Sequence, residues 1–196
     1  GGDVKTQFDG LSDPCVGSFA PSDPALAKYC SLQKYGPEDA PLTMVIGNSH
    51  AEQALSIFKP IAEQTKTNLQ TYLFGGCQYP VRAVNASNEC SEFNTKMTEE
   101  ILKRKPQTVV LIATVAQARS NDERVDPSLD ETVRRLTEAG VQVIGLRDNP
   151  RFEYNIYECA QKAGADKSSC ARPASDKYAA ENPAKEIFDK YRNQGA

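Results

Sequence analysis

Nothing in the chain approaches the roughly 18 consecutive apolar residues of a membrane span, and no signal peptide precedes Asp3. An initiator methionine is also missing, so the expectation is a soluble piece of something longer. There is no long basic run, and Lys plus Arg number 23 against 26 Asp plus Glu, a net charge of −3. Nucleic acid and anionic membrane surfaces are therefore poor main partners. The chain has no C-x-x-C, and its single histidine is His50. The ligand spacing of a zinc site is absent, and no metal is expected. Gly75-Gly76 lacks the remaining elements of either nucleotide-binding motif, so no nucleotide cofactor is expected to bind this domain. Internal repeats and low-complexity tracts are absent as well.

What is present suits one domain with a real core, 196 residues being too few to favour two. Six cysteines fall as Cys15/Cys30, Cys77/Cys90 and Cys159/Cys170, each flanked by loop-forming residues. Six cysteines allow 15 connectivities, and proximity favours this sequential pairing. Disulfides place the chain in an oxidising compartment, periplasmic or extracellular.

Residues 1–41 are rich in Pro, Gly, Asp and Ser and read as a disulfide-stapled, mostly irregular lead-in with one short helix within 25–32. Residues 42–196 carry a different pattern. Strand candidates at 42–46, 68–74, 108–114 and 141–146 alternate with helix candidates at 51–64, 92–104 and 129–139. That alternation predicts an α/β fold, a three-layer α/β/α sandwich on a central parallel sheet. Val109-Val110-Leu111-Ile112-Ala113 is apolar throughout, as a strand covered on both faces should be. After Arg151 the pattern loosens, through an extended-looking stretch with Phe152, Tyr154 and Tyr157, to a helical spacing of Tyr178, Ile187, Phe188 and Tyr191. Four strands look unfinished for a doubly wound sheet, so the fold is expected to be incomplete at its C-terminus.

In such a sheet the loops after the strands gather on one rim, where ligands bind. The rim collects Asn48-Ser49-His50, Gly75-Gly76-Cys77, residues 114–119 with Gln117 and Arg119, and Arg147-Asp148-Asn149-Pro150. Ser49 falls at a strand-to-helix turn, beside unpaired backbone N–H groups suited to developing negative charge. The plainer role for Ser49 is an N-cap. Arg147 and Asp148 read equally as an acceptor site or as an ion pair closing the fourth strand. Gln117 and Arg119 read more readily as residues of a solvated loop than as site residues. Phe152, Tyr154 and Tyr157 suit either sugar stacking or the core.

Gly47-Asn48-Ser49-His50 after the first strand, Gly76-Cys77 after the second and Arg147-Asp148-Asn149-Pro150 after the fourth, together with the paired cysteines, give the chain a resemblance. It resembles the SGNH domains fused to membrane acyltransferase-3 proteins, roughly over residues 42–170. The resemblance implies a flavodoxin-like, SGNH-hydrolase-type fold with Ser49 as the acyl-carrying nucleophile. The oxyanion hole is implied to be Ser49 and Gly76, with Gly75 the fallback. Asn48, His50, Gln117, Arg147 and Asp148, from the same rim, are expected as supporting or substrate-binding residues. It further implies an extracytoplasmic domain tethered to the membrane through an N-terminal multi-span acyltransferase domain of the same protein. That membrane domain would handle the acyl donor, acetyl-CoA, and the acceptor would be an envelope glycan or glycolipid. The Asn85-Ala86-Ser87 sequon carries no meaning in the bacterial chain so implied.

The chain departs from the family pattern in three places. Asn48 stands where Asp is usual, residues 113–117 offer no third-block Asn, and no D-x-x-H appears because no histidine follows His50. Adjacent helical residues project about 100° apart, so His50 is not expected to reach the Ser49 hydroxyl and reads as structural. Without a base a serine hydroxyl is a weak nucleophile, and this piece alone is expected to be nearly inactive. The expected function is transfer of a short acyl group, acetyl by preference, through a Ser49 ester onto an envelope glycan or glycolipid. A simple SGNH esterase and a non-catalytic glycan-binding or docking module with a decayed site are the alternatives.

Overall fold

The computed structural model describes residues 10–81, 87–164 and 166–196. The sequon residues Asn85 and Ala86, and the first nine residues of the lead-in, lie outside these. The strands are β1 (Asp13–Pro14), β2 (Cys30–Gln33), β3 (Leu42–Gly47), β4 (Asn68–Leu73), β5 (Thr108–Ile112) and β6 (Gln142–Leu146). The helices are α1 (Ser49–Gln53), α2 (Leu55–Thr65), α3 (Asn88–Arg104), α4 (Ser128–Glu138), α5 (Ile156–Ala163) and α6 (Lys185–Tyr191).

These strands make one mixed sheet in the order β1-β2-β4-β3-β5-β6, in which β4, β3, β5 and β6 run parallel. The chain leaves β3 toward β4, then returns to the other side of β3 for β5. The order therefore reverses at β3, and the carboxyl end of β3 is the switch point of the sheet.

Both faces of the parallel strands are covered. On one face Met44, Ile46, Tyr72, Val109, Leu111 and Val143 pack with α3, α4 and Tyr191 of α6. On the other, Val45, Leu69, Val110 and Ile112 pack with Ala51, Leu55 and Ala62. This explains why β5 has no polar alternation: every residue of Thr108–Ile112 is buried. The helix expected over 51–64 is divided at Ala54, whose N–H reaches Ala51 O at 3.0 Å, a tightened turn between α1 and α2. Tyr157 lies in α5, not in an extended segment.

The lead-in departs from expectation. Rather than staying mostly irregular, it supplies two strands, with β2 antiparallel to β4 and β1 antiparallel to β2. A short 3-10 helix, Pro24–Tyr29, precedes β2. Buried Asn68 holds this segment by accepting from the N–H groups of Tyr35 and Gly36 at 3.0 Å and donating to Pro37 O at 2.7 Å. From α3, Arg104 donates to Ser18 O and Ala20 O, both at 2.7 Å. Only Cys30 and Leu32 of β2 point inward, too short an alternation to declare a strand beforehand. At the far side of the sheet, Val143 N–H on the outer edge of β6 donates to Gly195 O at 2.8 Å.

The disulfides are Cys15–Cys30, Cys77–Cys90 and Cys159–Cys170. The first closes a loop of sequence separation 15 around the added strands, a constraint worth about 3 kcal/mol in the chain-entropy picture. Replacing Cys15 and Cys30 together by alanine should lower unfolding free energy by about that amount, read from urea denaturation under non-reducing conditions.

Candidate active site

Two features of the sequence turn the chain sharply at the end of β3. Gly47 has φ of 147°, and a Cβ there would stand 3.0 Å from the Ala51 Cβ, so glycine lets α1 begin close against the strand. Asn48 follows as the N-cap, its Oδ1 accepting the His50 N–H at 3.0 Å. The cap is therefore Asn48 and not Ser49. Asn serves here as well as the Asp usual in the resembling family, because either side chain supplies the accepting oxygen. Ser49 is left as the first helical residue, exposed, its hydroxyl without a hydrogen bond among the described residues.

After β4 the chain makes a four-residue turn, Phe74-Gly75-Gly76-Cys77, closed by Cys77 N–H to Phe74 O at 3.0 Å. Gly76 takes the third position with φ of 77°, where a side chain would be strained. The turn is fixed from three directions. Phe74 N–H donates to Gly47 O at 2.9 Å, Cys77 is bonded to Cys90 in the first turn of α3, and Gln78 Nε2 donates to Ile112 O and Thr114 O at 3.0 and 2.9 Å. The N–H groups of Ser49, Gly75 and Gly76 have no partner among the described residues. All three residues line one cavity of about 550 Å³, shared with Asn48, His50, Phe74, Val115 and Arg151. A hydroxyl and several unpaired amides in one concave site is the composition needed to stabilise an oxyanion.

Asp148 organises the opposite side. It is 1% exposed, and its carboxylate accepts from four donors. His50 Nδ1 lies 2.5 Å and Asn149 N–H 2.9 Å from Oδ1; Ala116 N–H lies 2.9 Å and Arg151 Nε 3.1 Å from Oδ2. Burial pushes the carboxyl pKa up, but the hydrogen bonds from His50 and Ala116 and the charges of Arg151 and His50 outweigh it, holding the group below its ordinary value. An ionised carboxylate can only accept, so His50 Nδ1 carries the proton of this bond, and Nε2 takes no part in it. His50 is thus paired with Asp148, and no hydrogen bond joins it to Ser49.

Two of the expected rim residues do not line the Ser49 cavity. Arg147 donates from Nε and Nη2 to Glu123, which is fully buried, and from Nη2 to Ala179 O at 2.7 Å, with its guanidinium stacked 4.6 Å from the Tyr178 ring. Of the two readings of Arg147, the ion pair is present: its charge neutralises a buried carboxylate, and the residue also lines the neighbouring cavity beside His50. Gln117 lines neither this cavity nor the neighbouring one on the other side of His50. It follows the bridge that pairs Val115 with Arg124. Phe152 and Tyr154 pair with each other at 5.5 Å and are covered by Lys177 and Arg172. The residue that sequence reasoning passed over is Arg151. Its signal was faint: a charge three positions after Asp148, on a loop, with no motif attached to it.

Among the described residues no group of three or more His, Cys, Asp or Glu side chains is placed to hold a metal, and no helix is long and apolar enough to cross a membrane. The family model "SGNH domain (fused to AT3 domains)" matches residues 14–196. No curated protein matches the chain. A solved structure, the periplasmic domain of a lipopolysaccharide acetyltransferase from Salmonella ser. Paratyphi A, is similar at 14% identity with a TM-score of 0.47, over 79% of this chain and 62% of that one. That likeness is too distant to bear on function.

The lowered pKa of Asp148 has a direction that can be checked. Its stabilisation is present above the unfolded-state carboxyl value near pH ~4 and is lost as pH falls through the lower folded-state value. Asp148→Asn, whose amide nitrogen cannot accept the donors it meets, should cost about 2–3 kcal/mol near neutral pH. The gap to the parent should close as pH falls below about 4, read from urea unfolding of both proteins across the acid range.

Proposed function

Because the chain belongs to the SGNH domains fused to AT3 domains, we propose that it is the extracytoplasmic part of a membrane O-acyltransferase. It passes a short acyl group, acetyl in the simplest case, through a Ser49 ester to a hydroxyl of an envelope glycan or glycolipid. The observation that carries this reading is the unbonded Ser49 hydroxyl at the switch point of the sheet, in one cavity with the unpaired amides of Ser49 and Gly76. The three disulfides suit an oxidising compartment.

In the first half-reaction Ser49 Oγ attacks the carbonyl carbon of an acyl donor prepared by the membrane domain. The carbonyl oxygen becomes an oxyanion facing the Ser49 and Gly76 amides, and collapse expels the donor's leaving group with the serine proton. The acceptor hydroxyl then attacks the ester carbonyl, and Ser49 Oγ leaves and regains a proton. Each amide donor of this kind is worth about 3 kcal/mol of barrier in enzymes where it has been removed. A base must take the Ser49 proton, and His50 makes no hydrogen bond to it. The family pattern implies a D-x-x-H histidine for that step.

The absence of a base contact at Ser49 is also what a glycan-binding module with a decayed site would have. Trapping separates the two readings. In membranes holding the full-length protein and acyl donor, mass spectrometry should find an acyl ester on the Ser49 peptide, and Ser49→Ala should lower acceptor acylation at least about a thousandfold. Unchanged acylation in the Ser49→Ala protein, or no ester under turnover, would establish the binding-module reading instead.

A further inference from the structure

Arg151 is the only charged side chain lining the Ser49 cavity among the described residues. Its position is built rather than incidental: Nε is tied at 3.1 Å to Asp148, a carboxylate whose side chain is fully buried. That bond occupies the inner edge of the guanidinium. Its two terminal nitrogens have no partner among the described residues, and the side chain is 38% exposed. A guanidinium presented in this way offers a planar fork that fits a carboxylate or a phosphate with two parallel hydrogen bonds. Among the described residues no Asp or Glu lines the cavity to repel such a group, although the chain as a whole is acidic.

The same carboxylate also fixes His50, which donates through Nδ1 and lines the same cavity. In the neutral imidazole Nε2 is a lone-pair acceptor, suited to a hydroxyl donor. Asp148 thus holds two recognition groups side by side, one for a negative charge and one for a hydroxyl. Phe74, whose ring is stacked 4.8 Å from Tyr29, also lines the cavity. At about 550 Å³ the cavity has room for a sugar residue.

We propose that Arg151 and His50 form an acceptor subsite beside Ser49 for an acidic sugar, Arg151 taking its carboxylate or phosphate and His50 Nε2 accepting a hydrogen bond from a hydroxyl. The proposal rests on the reading of the acceptor as an envelope glycan. It narrows that class to glycans whose acylated unit carries, or adjoins, a negative charge.

The test is binding rather than turnover, with Ser49→Ala protein so that no ester can form. In calorimetric or NMR titrations, D-glucuronate and glucose 1-phosphate should each bind at least about tenfold more tightly than D-glucose, and their ratio shows whether carboxylate or phosphate is preferred. Adding Arg151→Gln should bring both acidic sugars to within about twofold of glucose, while Arg151→Lys should keep an intermediate preference. Adding His50→Gln should weaken all three sugars without removing the acidic preference. Where Arg151→Gln does not fold, added salt decides, because it must weaken the acidic sugars and spare glucose. Equal binding of the three sugars, or a preference that survives Arg151→Gln, overturns the subsite. Should the subsite fail while the Ser49 ester is still trapped, the transferase reading stands; if the acidic preference holds and no ester forms, the subsite stands and the transferase reading falls.

Discussion

The Asp148 carboxylate is the interaction on which the rim depends. A buried negative charge is costly unless it is fully hydrogen-bonded. Asp148 meets that demand only by drawing donors from three separate connections: His50 after β3, Ala116 after β5, and Asn149 and Arg151 after β6. Solvating this one group correctly fixes the relative positions of the loops that make the cavity. A second buried carboxylate extends the arrangement. Thr114 Oγ1 accepts the Asp148 N–H at 2.9 Å and donates to Glu123 Oε1 at 2.7 Å, and Glu123 in turn holds Arg147. The segment near Tyr178 is drawn in by the same network, with Tyr178 Oη donating to Asp148 O at 2.8 Å.

On the other side of the cavity the fixing is covalent and conformational. The glycine turn after β4 is held at Cys77 by the disulfide to α3 and at Gln78 by two carbonyls from the end of β5. The unpaired amides of Ser49 and Gly76 therefore belong to backbone that is braced on both sides. Such bracing is what lets a few donors stabilise charge without rearranging as it develops.

The four parallel strands and the helices between them were legible because each is dominated by local pattern: the apolar run of β5, the helical period of α3 and α4, and the Gly47 break after β3. Ser49, Gly75 and Gly76 were legible from their place after strands, since an α/β sheet gathers those loops whatever their details. The strand Cys30–Gln33 was not, because four residues with two inward side chains become a strand only against the free edge of β4. The cap at Asn48 and the fate of Arg147 depended on contacts across the fold, to His50 N–H in one case and to Glu123 in the other. Arg151 was invisible for the same reason, since its meaning comes from Asp148 beneath it.

The strands added by the lead-in also change what the sheet shows to other molecules. Without them β4 would present a six-residue row of unpaired backbone groups, an invitation to pair with another chain. With them, that margin ends in a two-residue strand containing Pro14, which has no N–H to offer. At the opposite margin, Val143 N–H is already taken by Gly195. The edges of the sheet are blunted at both ends, which guards the domain against strand-to-strand aggregation.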